Sequence, residues 1–128
     1  MDDRQLVRSL AVGRVAIGAA LVAAPSLAAG GWAGAEARRP ATKVFLRALG
    51  VRDLVLGIGT LRALERGDDP TPWARYGAAA DGVDAAATLL GYRALRPRGR
   101  FAVLALAVAA AAGGAVAAER LAEANRDV

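Results

Sequence analysis

Eighteen consecutive residues without a charged side chain, from Phe101 to Ala118, are the feature that most constrains this chain. A helix formed by this run has no polar face, whereas a helix on the surface of a soluble protein turns one to water. About 20 helical residues, each rising about 1.5 Å, cross a hydrocarbon core about 30 Å thick. The run is therefore typical of a helix that spans a membrane.

Three more apolar segments precede this run, and short polar stretches separate them. The sequence predicts helices over approximately residues 6–24, 40–64, 72–94 and 99–121. Asp2 or Asp3 can cap the first helix and Thr71 the third, because short polar side chains accept hydrogen bonds from the free amides of a helix start. Pro25 interrupts the first segment, and Pro40 suits the first turn of the second helix.

The predicted fold is a single all-α domain that covers residues 1–128. Short loops favour antiparallel neighbours, so we expect a bundle of four transmembrane helices in up-down-up-down order. Trp32 and Trp73 lie close to segment ends, where membrane-interface tryptophans are common. A soluble, alanine-rich four-helix bundle stays open as an alternative, because a charged fraction of 23% is ordinary for soluble proteins. A signal peptide is disfavoured, since Arg14 would fall within its apolar region.

The expected location is the inner membrane of a bacterium, with several passes and the lipid bilayer as the main partner. Basic residues are equally numerous at the two ends of such a bundle: seven in the first and third loops, and seven in the termini and second loop. The third loop is the denser, with four arginines within residues 93–100. Since dense basic loops remain in the cytoplasm, we expect both termini on the outer side.

The chain has no cysteine and no histidine. This excludes disulfides, thiolate nucleophiles, cysteine- or histidine-based metal and haem sites, and serine–histidine catalysis. We therefore expect no metal and no cofactor. The formal net charge of +5 raises the question of a nucleic-acid partner, but the arginines are dispersed between apolar runs rather than gathered on a basic face. No nucleic-acid partner is predicted.

Six ionisable residues lie within three of the four predicted spans. They are Arg14 in the first, Arg47, Arg52 and Asp53 in the second, and Asp81 and Asp84 in the third. An unpaired charge near the centre of a bilayer costs roughly 2.5–3.5 kcal/mol. Three arginines and three aspartates can neutralise one another, so we expect all six to face the interior and pair.

Small and polar residues at spacings of three and four line one face of each helix that carries aspartates. They are Gly50, Asp53, Gly57 and Thr60 in the second helix, and Gly77, Asp81, Asp84, Thr88 and Gly91 in the third. Small side chains let helices approach closely within a membrane. The charges are therefore expected at close helix contacts. If the cluster is structural, Asp53→Asn should lower the folded yield by leaving Arg14 or Arg52 buried and unpaired. If it is catalytic, at least one of the three aspartates should tolerate asparagine in folding yet lose function.

Three elements of the sequence carry a resemblance to a known group of proteins. They are the pattern Arg-x-x-Gly-x-Arg-Asp over residues 47–53 followed by Gly57, the dipeptide Gly13-Arg14, and the pair Asp81 and Asp84. Together they resemble a group of small, uncharacterised four-helix integral membrane proteins of actinobacteria, over nearly the whole chain. The resemblance implies a membrane location and four spans. It carries over no activity, substrate or catalytic residue.

Three functions stay open from the sequence. The first is a structural or binding protein with an internal polar core, which packs with copies of itself or a membrane protein partner through its fourth helix. The second is a membrane-embedded isomerase or cyclase that acts on a lipid-soluble, apolar small molecule. Its candidate residues are Asp53, Asp81 or Asp84 as general acid or base, and Arg14 or Arg52 to stabilise developing negative charge. The third is a proton- or ion-coupled carrier.

The surroundings of the carboxylates distinguish these functions. An apolar cavity beside them would favour the enzyme that acts on a lipid-soluble molecule. A cluster with every charge paired and no void would favour the structural protein. A water-filled path to one membrane face would favour the carrier.

Overall fold

The computed structural model describes residues 2–124, and all of the regular structure in this part of the chain is helical. The α-helices are α1 (Asp3–Ala23), α2 (Pro25–Ala33), α3 (Pro40–Arg66), α4 (Thr71–Leu90) and α5 (Pro97–Ala124). Short 3₁₀ helices cover Gly34–Arg38 and Tyr92–Ala94. The all-α prediction is confirmed. Arg126, one of the basic residues counted at the C terminus, lies outside the described residues.

Local sequence signals set the beginnings of the helices. The Asp2 carboxylate caps α1 by accepting a hydrogen bond from the amide of Arg4 at 3.0 Å. Pro25 follows the end of α1 and also begins α2, because the first turn of a helix does not use the amide that proline lacks. The apolar pattern predicts no separate helix over residues 25–33, so α2 is a departure from the four-segment prediction.

Two of the differences between the predicted helices and the structure lie in α4. Thr71 does not act as the cap, because it is the first residue of α4 and Pro70 is at the cap position. The Asp69 carboxylate accepts a hydrogen bond from the Thr71 amide at 3.0 Å. The helix also ends at Leu90 rather than at residue 94. Gly91 closes it, and a 3₁₀ turn follows.

Successive long helices run antiparallel, because residues early in one helix contact residues late in the next. α1 packs most extensively on α3, and α4 on α5. Glycines permit the closest approach. A Cβ at Gly18 of α1 would lie 2.6 Å from the Gly50 carbonyl oxygen of α3, and a Cβ at Gly57 would lie 2.7 Å from the Ala11 oxygen. Because backbones this close leave no space for a side chain, these small residues fix the α1/α3 contact, as their spacing predicts.

The connections between the long helices gather at two ends. At one end, the Arg96 amide donates to the Trp32 carbonyl at 3.0 Å and joins the start of α5 to the end of α2. At the other end, Arg120 of α5 lies 3.5 Å from the carboxylate of Asp3, at the start of α1. The first and third connections therefore share one end of the molecule.

Ionisable residues lie inside this structure, while many large apolar side chains face outward. Asp53 and Asp81 are each only 8% exposed, whereas Phe45 is 75% and Leu90 92% exposed. This is the reverse of the usual distribution in a soluble protein. Two of the described helices, Asp3–Ala23 and Pro97–Glu123, are long and apolar enough to cross a membrane.

Candidate functional site

Five of the six ionisable residues expected within the spans come together. They are Arg14 of α1, Arg52 and Asp53 of α3, and Asp81 and Asp84 of α4, and we call them the Arg/Asp cluster. The same five are the candidate catalytic residues of the sequence. They converge because each lies on the side of its helix that is turned toward the other two helices.

Arg14 joins α1 to both of the helices that carry aspartates. Its Nη2 donates to Oδ2 of Asp81 on α4, and its Nη1 donates to Oδ1 of Asp53 on α3 at 3.4 Å. Gly77 provides the space for this guanidinium, because a Cβ at that position would lie 2.9 Å from Arg14 Nη2. The small-residue face of α4 therefore accommodates a charged side chain of α1.

Arg52 holds the other side of the cluster. Its Nη1 and Nη2 donate to the two carboxylate oxygens of Asp84 at 3.0 and 2.6 Å, which makes a bidentate pair. The same Nη2 donates to Oδ1 of Asp53 at 3.1 Å. Oδ1 of Asp53 is thus the atom at which the two guanidinium groups meet.

The cluster is a row of alternating charges. Its order is Asp81, Arg14, Asp53, Arg52 and Asp84. Carboxylates form both ends of the row, and both ends belong to α4. With every group ionised, three carboxylates and two guanidinium groups leave the cluster with one excess negative charge.

Arg47 does not join the cluster. Its side chain is exposed, and its Nε donates to the carbonyl of Val22, near the end of α1, at 3.2 Å. Arg52 lies five positions after Arg47, which turns their side chains about 140° apart around the helix axis. The prediction that three arginines and three aspartates neutralise one another is therefore wrong.

Burial differs along the row. Asp53 and Asp81 are each 8% exposed. The side chains of Arg52 and Asp84 are more open, at 31% and 34% exposed. Among residues 2–124, no donor reaches Oδ2 of Asp53 or Oδ1 of Asp81. Two carboxylate oxygens in the buried part of the cluster therefore remain free to accept hydrogen bonds.

A cavity of about 440 Å³ lies beside the cluster, between α1 and α5. We call it the α1/α5 cavity. Its apolar walls include Leu10 and Ile17 of α1, Trp32 of α2, and Val103 and Leu106 of α5. Arg14, Asp53, Asp81 and Asp84 form its charged part. The space exists because α1 packs far less extensively on α5 than on α3.

Cavity and cluster together have the chemistry of a small-molecule site. Such sites enclose about 300–1,000 Å³, are mostly apolar and contain a few polar groups that orient the ligand. A polar group of a bound molecule can reach Asp53 or Asp81 while its apolar part contacts the walls. Within the described residues, no three or more acidic side chains are arranged to hold a metal ion.

Two features of the site are not evident from the sequence. Trp32, predicted as an interface residue, lines the α1/α5 cavity, and Trp73 packs its ring on α3, where a Cβ at Gly59 would lie 2.5 Å from it. The cavity itself depends on how far α5 stands from α1. The contact between Arg14 and Asp81 did have a sequence signal, because Gly77 shares a helix face with Asp81 and leaves space beside it.

Comparison of the chain with protein families, with curated proteins and with solved structures gives no match. The geometry of the cluster and the cavity is therefore the basis on which a function can be assigned.

Proposed function

We propose that this chain is a multi-pass membrane protein that binds a lipid-soluble small molecule in the α1/α5 cavity. The Arg/Asp cluster is the polar end of the site. One observation carries the proposal: an apolar cavity of about 440 Å³ reaches two buried carboxylates, Asp53 and Asp81. A cluster that served packing alone needs no void beside it, because unfilled space costs packing energy.

Four spans in the inner membrane of a bacterium fit the distribution of apolar residues. α1 and α5 have the length and composition of spans. The outward faces of the more polar helices are also apolar, since α3 exposes Val51, Val55 and Ile58, and α4 exposes Val83 and Leu89. The charges of α3 that join the cluster are paired, which lowers the cost of placing them in a bilayer.

The proposed architecture is an up-down-up-down bundle formed by α1, α3, α4 and α5. Antiparallel packing of successive long helices supports this order. The resemblance of residues 47–53 to small actinobacterial membrane proteins agrees with it. Self-association, or a membrane protein partner, is proposed through the alanine-rich α5, which exposes Val108 and Val116.

Entry to the cavity is proposed from the lipid. Ile17 of α1 and Leu106 of α5 line the cavity and remain 42% and 58% exposed. Both lie in the middle part of their helices rather than at an end. A molecule dissolved in the bilayer can therefore reach the cluster between α1 and α5 without passing through water.

Catalysis on such a molecule is the second candidate function. Asp53 and Asp81 each keep one carboxylate oxygen without a hydrogen bond, which suits a general acid or base. Arg14 adjoins both and can stabilise developing negative charge. An ion-coupled carrier has less support, because Ser9 is the one hydroxyl residue that lines the cavity beside the cluster.

The proposal is tested by native mass spectrometry of the protein purified in mild detergent. A stoichiometric apolar small molecule is expected on the native chain. Ala107→Phe places a ring in the cavity and should abolish the bound mass. Ala109→Phe adds the same ring at an exposed position outside the cavity and should preserve it.

Two results would contradict binding in this cavity. One is a native chain that carries no small molecule in any preparation. The other is equal retention of the molecule by the Ala107→Phe and Ala109→Phe variants. For the catalytic candidate, Asp53→Asn and Asp81→Asn proteins are incubated with the molecule identified. Chemical change by the native chain, lost in one of these variants while binding remains, would establish catalysis.

A further inference from the structure

We infer that the molecule bound in the α1/α5 cavity is a lipid-soluble amine, which places its ammonium group against Asp53 and Asp81. This inference rests on the proposed function and names the chemical class of its ligand. It follows from the charge of the cluster, from the free acceptors at its buried end, and from the apolar walls around them.

The excess negative charge has no other partner in the site. α1 contributes Arg14, α3 contributes Arg52 and Asp53, and α4 contributes Asp81 and Asp84. The remaining walls come from α2, which contains no ionisable residue, and from α5, which is uncharged over residues 101–118. Both guanidinium groups are already shared among the three carboxylates. A ligand with one positive charge would make the site neutral.

The free acceptors also suit the hydrogen-bond donors of an ammonium group. Oδ2 of Asp53 and Oδ1 of Asp81 receive no hydrogen bond from residues 2–124, and both aspartates line the cavity. An alkyl ammonium has three N–H donors and no acceptor. It can donate to both carboxylates, whereas its alkyl chain extends along the walls toward Trp32.

Other polar groups fit the site less well. A carboxylate or phosphate would add a second negative charge beside buried aspartates, which strongly disfavours an anionic lipid. A hydroxyl can donate one hydrogen bond but leaves the excess charge unbalanced. A quaternary ammonium balances the charge but has no N–H donor. The contributions of charge and of hydrogen bonding to the binding affinity can therefore be measured separately.

The test compares four probes with the same eight-carbon chain: octylamine, octyltrimethylammonium, octanol and octanoate. Binding is followed by the fluorescence of Trp32 in a Trp73→Phe background, in a non-ionic detergent near pH 7. At this pH an alkyl ammonium, whose pKa is about 10.4, is charged. The Ala107→Phe variant, titrated in parallel, reports the signal that comes from partition into the micelle.

Octylamine is expected to bind roughly 10- to 100-fold more tightly than octanol, since hydrogen bonds to charged groups are the stronger class. Octyltrimethylammonium should fall between them, and octanoate should bind most weakly. Asp81→Asn removes the excess charge, so the preference for octylamine over octanol should shrink to a few-fold. Asp84→Asn makes the same change in charge at the more exposed end of the cluster. It replaces Asp81→Asn in the test if that variant does not fold.

The outcomes separate this inference from the function on which it rests. Equal binding of octylamine and octanol, lost in Ala107→Phe, would overturn the amine but leave a ligand-binding cavity. Tightest binding of octanoate would overturn it as well. Signals that Ala107→Phe leaves unchanged for every probe would reject the cavity as a site and the amine with it.

Discussion

The guanidinium of Arg14 lies in the space left by Gly77 and donates to Asp81, one turn further along α4. This contact joins α1 to α4 through the charge of Arg14 and the space that Gly77 leaves. It also orients Arg14 so that its other nitrogen reaches Asp53 on α3. A single arginine therefore connects three helices at one level.

Removal of Arg14 should be the most damaging single change in the cluster. Arg14→Gln leaves three carboxylates with one guanidinium, and it removes the only guanidinium that contacts Asp81 among residues 2–124. Breaking a buried pair on one side typically costs about 3–5 kcal/mol. Reversible unfolding in mixed micelles should show a loss of this size. Arg47→Gln, at an exposed arginine outside the cluster, should change stability by no more than about 0.5 kcal/mol.

Asp53→Asn should be tolerated far better than Arg14→Gln, although Asp53 is the centre of the row. Arg14 keeps Asp81 as its partner and Arg52 keeps Asp84, so neither guanidinium is left alone. This revises the expectation from sequence that the substitution would strand an arginine. We expect a folded yield close to that of the native chain by size-exclusion chromatography in detergent. A yield as low as that of Arg14→Gln would show that the two remaining pairs cannot hold the site.

Gly77→Ala should disturb the cluster while Gly82→Ala on the same helix does not. The added Cβ would lie 2.9 Å from Arg14 Nη2 at position 77, whereas it would meet nothing within 4 Å at position 82. Gly82→Ala should be neutral or stabilise the helix by up to about 1 kcal/mol. Gly77→Ala should not stabilise the helix in this way, and it should weaken the binding of octylamine as measured by Trp32 fluorescence. Equal affinities in the two variants would contradict the role given to Gly77.

Gly57→Ala should loosen the contact between α1 and α3. The added methyl group would lie 2.7 Å from the Ala11 oxygen and 2.8 Å from the Val15 side chain, so one backbone must shift. Overpacking of this kind typically costs about 1–3 kcal/mol. Gly13→Ala on α1 meets nothing within 4 Å and is the matched control. Thermal unfolding in detergent should separate the two, and similar midpoints would argue against close backbone packing here.

The proposed orientation in the membrane can be tested directly, because the native chain has no cysteine that would react with a label. Single cysteines are placed at Ala35, Ala94 and Asp68, which are exposed residues in the three connections between long helices. An impermeant maleimide should label positions 35 and 94 only in inverted vesicles, and position 68 only in right-side-out vesicles. The reverse pattern would contradict termini on the outer side. Labelling of all three from one face would contradict four spans.

The sequence predicts much of this fold because its signals are local. Apolar segments mark the long helices, Pro40 begins α3, and Asp2 caps α1. The start of α4 is mispredicted because the side chains of Asp69 and Thr71 both suit a helix start. The path of the chain decides that Thr71 lies inside the helix and donates its amide hydrogen bond to Asp69. The helix α2 is missed because Pro25 signals an end and a beginning equally well.

The candidate site is predicted in its members but not in its pairing. Helical periodicity places Asp53 and Asp81 on inward faces, and the structure brings them together with their arginines. Helical periodicity does not predict that Arg47 donates to the Val22 carbonyl, because that contact depends on where α1 ends. The excess negative charge and the α1/α5 cavity both depend on contacts between distant helices.

The central claim is that a small molecule occupies the α1/α5 cavity and not merely the lipid surface. A lipid-soluble diazirine probe, photolysed with the protein and mapped by peptide mass spectrometry, tests it most directly. We predict labels on Ile17 and Leu106 in the native chain and in Ala109→Phe, with loss of these labels in Ala107→Phe. Phe45, exposed outside the cavity, reports labelling from bulk lipid. Labels no more frequent at Ile17 and Leu106 than at Phe45, and unchanged in Ala107→Phe, would contradict the claim.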